Sequence, residues 1–265
     1  MPYHDIALKF DGAVAVVTLN RPEKLNSFTH AMHVELRAAF DEIEASQTRG
    51  QTRAMIITGA GRGFCAGQDL GDKTFQINDD FDAGDSLEQN YNPLVKRIVA
   101  MPLPVIAGVN GVAAGAGANI ALACDIVLAA ESAKFIQSFA KIGLIPDAGG
   151  TWMLPRQLGM ARAKGLAMLA EPLSAQKARD WGLIWDVIAD DELMPTTLKM
   201  AKRLATRPTK AFAAIKQAMH AATSNDLATQ LELEKDLQSI ASKSHDFREG
   251  VAAFMEKRDP VFKGR

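Results

Sequence analysis

The 265-residue chain is 48% hydrophobic and carries 30 basic against 31 acidic side chains, for a net charge of −1. That length and apolar content suit one large domain, or a domain with an appendage, around a sizeable core. The balanced charge leaves no basic field for nucleic acid or an anionic membrane, so a small molecule or another copy of the chain is the expected partner.

The first ten residues, MPYHDIALKF, lack the basic and apolar regions of a signal peptide. IALKF and AVAVVTL flank Asp11-Gly12, a two-residue hairpin signal. NRPEKLNSF breaks the pattern as a loop. From His30, the positions Met32, Leu36, Ala39, Phe40 and Ile43 recur at helical spacing and predict an amphipathic helix. RAMIITG is a short buried strand, followed by the glycine-rich loop GAGRGFCAGQDLG. Residues 71–90, with NDDFDAGD at their centre, are polar and acidic and predict a mobile segment. A helix over 92–100 leads to the strand PVIAGVNG, and a small-residue turn, AAGAG, opens the helix ANIALAC before the strand DIVLAA. Gly, Asn and Asp interrupt the run GVAAGAGANIALACDIVLAA, which reads as buried α/β structure and not as a membrane span. After about Asp190 the chain is helical throughout, with Met, Leu, Ala and Phe on repeating faces that predict helix packing and a surface for a neighbouring subunit. Cys65 and Cys124, the only cysteines, suit a reducing compartment, and the expectation is a soluble cytoplasmic protein.

Several candidate sites fail on their own chemistry. Gly61-x-Gly63-x-x-Ala66 resembles a dinucleotide fingerprint, but hydride enzymes of that type need a Tyr-x-x-x-Lys pair, and Val95 stands four residues after Tyr91. His30 and His33 lie one helical turn apart without a third ligand, and are expected to be solvated, so no metal site is predicted. No serine occupies a Gly-x-Ser-x-Gly elbow. Cys65 reads as a packed small side chain. Two glycine-rich turns and Asp147 remain. Peptide N–H groups in such turns can converge on an oxyanion, and Ala66, Gly67, Gly115, Ala116 and Gly117 are small enough for a carbonyl to approach. They would equally permit tight strand–helix packing. Asp147, between a proline and two glycines, is either a helix cap or a group that moves a proton.

Five ordered stretches, VAVVTLNRPEKLNSF, GFCAGQDL, VNGVAAGAGANIALACDI, KIGLIPDAGGTWMLPRQLG and SAQKARDWGLI, with AFMEKRDP near the end, resemble the signatures of the crotonase superfamily, the enoyl-CoA hydratases and isomerases. The resemblance implies an α/β fold, a spiral of ββα units over residues 1–190. A helical trimerisation region over 191–265 would follow, giving homotrimers or dimers of trimers. It implies that the amides of Gln68 and Ala116 hold a thioester oxygen, and that Lys24, Leu25, Ala66, Asp69 and Leu70 hold the CoA moiety. Gly115, Asn119 and Phe139 would line the substrate, and Phe254 and Lys257 would reach a neighbour's CoA. Asn119 and Phe139 stand where the hydratases carry two glutamates, which leaves Asp147 as the carboxylate at a third acid/base position of the family. The implied chemistry is a proton shift on an acyl-CoA thioester, with no metal or redox cofactor, CoA being part of the substrate. GFCAGQDL together with FIQSFAKIGLIPDAGGTW most resembles the branch that isomerises the ring 1,2-epoxide of phenylacetyl-CoA, with Phe139, Phe135 and Ile145 as apolar walls. A Δ3,Δ2-enoyl-CoA isomerase is the alternative within the family, and a non-catalytic acyl-CoA- or RNA-binding relative the alternative outside that chemistry.

Overall fold

The computed structural model of the chain describes residues 3–72, 78 and 81–265. Strands β1 (Ile6–Asp11) and β2 (Val14–Leu19) form the expected antiparallel hairpin, but the turn is Gly12-Ala13, one residue later, with Asp11 opposite Val14. Gly12 takes φ +59°, which a side chain would resist. The large sheet continues in the order β2, β3 (Ala54–Gly59), β5 (Val105–Val109), β7 (Ile126–Ala130) and β10 (Asp186–Ile188), all parallel. A second sheet runs β4 (Gly63–Cys65), β6 (Val112–Ala114), β8 (Lys134–Ile136) and β9 (Leu173–Ser174). The chain thus visits one sheet, then the other, then a helix, three times over: the mixed α/β spiral of ββα turns.

Helix α1 (His30–Thr48) starts where Thr29 accepts a hydrogen bond from the Met32 amide, and it buries Met32, Leu36, Ala39, Phe40 and Ile43. Each of the four larger side chains contributes roughly 1.5–3 kcal/mol on leaving water. His33 is buried too, against expectation. Its ring stacks on Phe28 at 4.9 Å and meets Tyr91 edge-on at 4.5 Å. Burial, with the nearby Arg37 charge as a smaller cause, pushes its pKa down to about 3.

The predicted mobile segment falls partly on residues 73–77 and 79–80, outside the described residues. Residues 83–91 are helical: α2 (Ala83–Ser86), begun by the Asp82 carboxylate accepting the Gly84 amide at 2.7 Å, runs through a π turn (Leu87–Tyr91) into α3 (Asn92–Ala100). Helix α4 (Ala116–Leu122) is wholly buried, α5 (Gly150–Leu169) bends at Gly159, and α6 (Ala175–Asp180) precedes β10. Helix α7 (Leu193–Ala205) closes the other face of the large sheet, with Ala201 and Ala205 against Val14, Ala54, Ile56 and Ile106. By contrast α8 (Thr209–Ala221), α9 (Leu227–Ser242) and α10 (His245–Glu256) bury little, and Phe254 and Met255 are exposed. Among the described residues no helix is long and apolar enough to cross a membrane, and no group of three or more His, Cys, Asp or Glu side chains could hold a metal ion.

Candidate active site

Two loops at the ends of short strands build one wall. Asn26 is fully buried, and its amide nitrogen donates to the carbonyls of Ala60 at 2.9 Å and Gly63 at 2.8 Å, which fixes the NRPEKLNSF loop beneath the first glycine-rich turn. Phe28 then donates to the Gly67 carbonyl at 2.7 Å and accepts from the Asp69 amide at 2.9 Å. In such a parallel bridge the amide of the intervening residue, Gln68, points to the opposite side. Gly67, at φ +91°, makes that exit possible.

The second loop follows β6. Gly115 has φ +55° and ψ −131°, a backbone closed to residues with a Cβ, and donates to the Ile136 carbonyl at 2.8 Å. Its neighbour Ala116 is the first residue of α4, so its N–H has no acceptor inside the helix. Ala116 has no positive φ, which is why a Cβ is tolerated there. The loops touch: a Cβ on Gly67 would stand 3.6 Å from the Ala116 nitrogen. Gly117 is small for another reason, because a Cβ there would meet the Cys65 carbonyl at 2.4 Å. Tight packing and access to the backbone both operate, at different glycines. Cys65 itself is sealed in the core, its thiol pushed up to about 12 by burial.

Opposite these amides lies the turn that carries Asp147. Ala148 at φ +46° and Gly149 at φ +82° reverse the chain before α5, and the Asp147 carbonyl accepts the Gly150 amide at 2.8 Å. The turn faces the side chain into a cavity of about 290 Å³ shared with Gln68 and Ala116. One carboxylate oxygen of Asp147 is buried without a hydrogen-bond partner. Desolvation raises the pKa to about 6, partly offset by the residue's own backbone amide. A carboxylate that titrates near neutrality, and has no ion-pair partner among the described residues, can both accept and return a proton. Asp147 also precedes a helix, but α5 has no side-chain cap.

Of the residues expected at the site, the cavity brings together Ala66, Gln68, Leu70, Gly115, Ala116, Phe139 and Asp147. Others fall elsewhere. Asn119 does not line the cavity: it is fully buried, and its amide donates to the Asp147 carbonyl at 2.8 Å. Asp69 is engaged by Arg21 at 2.9 Å and by the Gly71 amide at 3.0 Å. Lys24 ends a 3-10 turn over Pro22–Lys24, and Leu25 follows in a left-handed conformation, packed towards Gly63. Phe254 lines a separate groove with Phe247, Gly250, Val251 and Phe262, and Lys257 ends α10. Phe135 is core and Ile145 is exposed, and neither lines the cavity. The apolar walls that sequence reasoning missed are Leu87, Ile142 and Leu144. It also missed Tyr91, whose hydroxyl donates to the Gln68 side-chain carbonyl at 2.7 Å.

The family model for enoyl-CoA hydratase/isomerase matches residues 9–265. The chain belongs to the enoyl-CoA hydratase/isomerase family. It is 53% identical over 253 residues to the 1,2-epoxyphenylacetyl-CoA isomerase of Escherichia coli, covering 95% of each chain. It is 50% identical over 265 residues to a probable enoyl-CoA hydratase of Rhodobacter capsulatus, covering all of both. The crystal structure of an enoyl-CoA hydratase from Bacillus anthracis superimposes with a TM-score of 0.90 at 33% identity, over 99% of this chain and 100% of that one. An acyl-CoA thioester substrate is consistent with that family.

Proposed function

We propose that this enoyl-CoA hydratase/isomerase family member is an isomerase of acyl-CoA thioesters, acting on the ring 1,2-epoxide of phenylacetyl-CoA. The carrying observation is a partly buried carboxylate, one oxygen unpartnered among the described residues, sharing a single cavity with the residues that carry two candidate oxyanion amides, Gln68 and Ala116. The identity to the E. coli isomerase supports the choice of acyl group.

In this reading the thioester oxygen accepts hydrogen bonds from the Gln68 and Ala116 amides, and Asp147 takes a proton from the carbon beside the thioester. The enolate oxygen gains negative charge where the two donors stand. The carbon–carbon bond shared by epoxide and ring opens, the seven-membered oxepin forms, and Asp147 returns the proton to a ring carbon. No atom is gained or lost. No metal or redox group takes part, because the thioester itself acidifies the carbon. Phe139, Leu87, Ile142 and Leu144 give the ring apolar walls. By the family resemblance, hydration needs carboxylates where this chain has Asn119 and Phe139. That weighs against the water-adding activity named for the R. capsulatus relative.

The same reading has Lys24, Leu25 and Asp69 beside the CoA moiety, with Phe254 and Lys257 reaching the CoA of a neighbouring subunit. The helices over 191–265 that lie beyond α7 would assemble a trimer, or a dimer of trimers, in the cytoplasm. The test is a panel of CoA thioesters incubated in deuterated water, with label followed by mass spectrometry. Ring-epoxide CoA should be isomerised with label in the product, and Asp147→Asn should bind thioester but lose isomerisation. Faster turnover of an aliphatic Δ3-enoyl-CoA would make the chain a fatty acyl isomerase, and addition of water to an enoyl-CoA would make it a hydratase.

A further inference from the structure

Beneath the cavity floor, three polar groups run in series. The side-chain amide of Gln137 donates to the Asn119 carbonyl oxygen at 2.8 Å, and the Asn119 amide nitrogen donates to the main-chain carbonyl of Asp147 at 2.8 Å. Gln137 and Asn119 are both buried, and neither lines the cavity. The series has a direction. Because the Asp147 main-chain carbonyl can only accept, the Asn119 amide is held with its nitrogen towards Asp147 and its oxygen towards Gln137, which must then donate. Were it flipped, two oxygens would face each other at the Asp147 carbonyl.

The geometry of the frame explains what this bond does. Asn119 lies one helical turn after Ala116 on α4, so a single short helix carries both a cavity-lining residue whose amide has no acceptor inside the helix and the tether to Asp147. Gln137 follows Ile136, whose carbonyl holds the Gly115 amide at 2.8 Å. The turn being tethered is strained, with a non-glycine residue, Ala148, and then Gly149 both at positive φ. The contact is close: a Cβ on Gly150 would lie 2.3 Å from the Asn119 amide nitrogen. The remaining oxygen of Gln137 is buried and has no hydrogen-bond partner among the described residues, which is unfavourable in itself.

We propose that Gln137 and Asn119 are positioning residues that set the separation between the Asp147 carboxylate and the Ala116 amide, holding the base and the oxyanion donor in one rigid frame. This rests on the isomerase reading above and goes beyond it, because neither side chain touches substrate in that reading. It also reassigns Asn119 from a substrate contact to a group that acts through Asp147. Among the described residues, Tyr91 and Lys141 are the other titratable side chains lining the cavity, and neither belongs to the series.

The test uses label exchange into a thioester in deuterated water, with kcat, KM and the pH profile measured for the full-length wild type, Asp147→Asn, Asn119→Ala and Gln137→Leu. Gln137→Leu loses one hydrogen bond but also removes the orphan oxygen, so its thermal stability should stay within a few degrees. Both positioning variants should lose turnover at least tenfold, with KM changed less than threefold. The acid limb of the Gln137→Leu profile should shift towards an ordinary carboxylate as the turn relaxes into water. A folded Gln137→Leu protein with wild-type turnover and pH limb overturns the proposal. So does an Asn119→Ala protein in which KM alone rises, since Asn119 would then be a substrate contact. No exchange by the wild type on any thioester sinks the isomerase reading along with it. Exchange abolished in Asp147→Asn but intact in both other variants sinks only the positioning pair.

Discussion

Two ionisable groups are desolvated, one lining the cavity and one packed behind Tyr91, and burial has moved both towards their neutral forms. His33, buried between Phe28 and Tyr91, has its pKa pushed down to about 3; Asp147, lining the cavity, has its pKa raised to about 6. Each has a buried atom without a hydrogen-bond partner. The same physical cause gives opposite chemical results, because the ordinary values lie on opposite sides of the shift. Histidine is carried out of the range where it could exchange a proton near neutral pH, while aspartate is carried into it. A perturbed pKa is therefore informative only once its direction is compared with the pH at which the site must work.

That contrast is most directly broken at Asp147. Asp147→Asn removes the base and keeps the shape, and turnover should fall by roughly 10²–10⁴ with thioester binding retained. In the wild type, kcat/KM should decline below a pH near 6 as the carboxylate takes up its proton. Steady-state rates across pH 4.5–8 check both, and a limb near pH 4 would place the working carboxylate in water. Next in size is the backbone donor. Ala116 is the first residue of α4, where proline is tolerated because its missing N–H is unpaired in any case. Ala116→Pro should fold and yet lose about 10²–10³ in kcat, the cost of one oxyanion donor. Near-wild-type turnover in a folded Ala116→Pro protein would remove that amide from the mechanism.

Much of this was legible in the chain because it is local. The helix over His30–Thr48 follows from its period, and the strands over 54–59, 105–109 and 126–130 follow from short apolar runs bounded by glycine or polar residues. Strands β6 and β8 span three residues each and β9 two, too short for any period to register, so the second sheet is invisible in the residues alone. Gln68, Ala116 and Asp147 carried recognisable neighbours. Tyr91 did not, since its bond to Gln68 spans 23 residues and depends on how the π turn docks. Asn119, expected to line the substrate, instead donates to the Asp147 carbonyl, because nothing local says whether a buried amide faces a cavity or a carbonyl behind it. His33 misled because α1 is covered on a wider arc than its apolar stripe, with Phe28 and Tyr91 arriving from loop and helix.

The smaller effects concern stability and separate the two groups by sign. Asp147 binds its proton more tightly in the folded chain than in the unfolded one, so stability falls as pH rises from about 4 to about 6, by an amount on the order of 3 kcal/mol. Asp147→Asn should accordingly raise Tm at pH 7.5 and give little gain at pH 4, which calorimetry at the two pH values reads. An equal gain at both would assign the effect to packing.

His33 runs the other way. Its folded pKa lies below the unfolded value, so the stability that goes with the neutral ring is complete above pH 6.5 and is lost as pH falls towards 3. His33→Phe keeps an aromatic ring against Phe28 and Tyr91 and removes a nitrogen that has no partner. At pH 7.5 the change should stay within about 1 kcal/mol, the usual size for a volume-conserving core replacement. At pH 5 the variant should gain by roughly 2 kcal/mol relative to wild type, because only the wild-type unfolded chain takes up that proton. Turnover and the pH limb near 6 should be unchanged. A shift of that limb in His33→Phe would mean that His33 and Asp147 titrate together, and the contrast between a silent histidine and a working aspartate would fail.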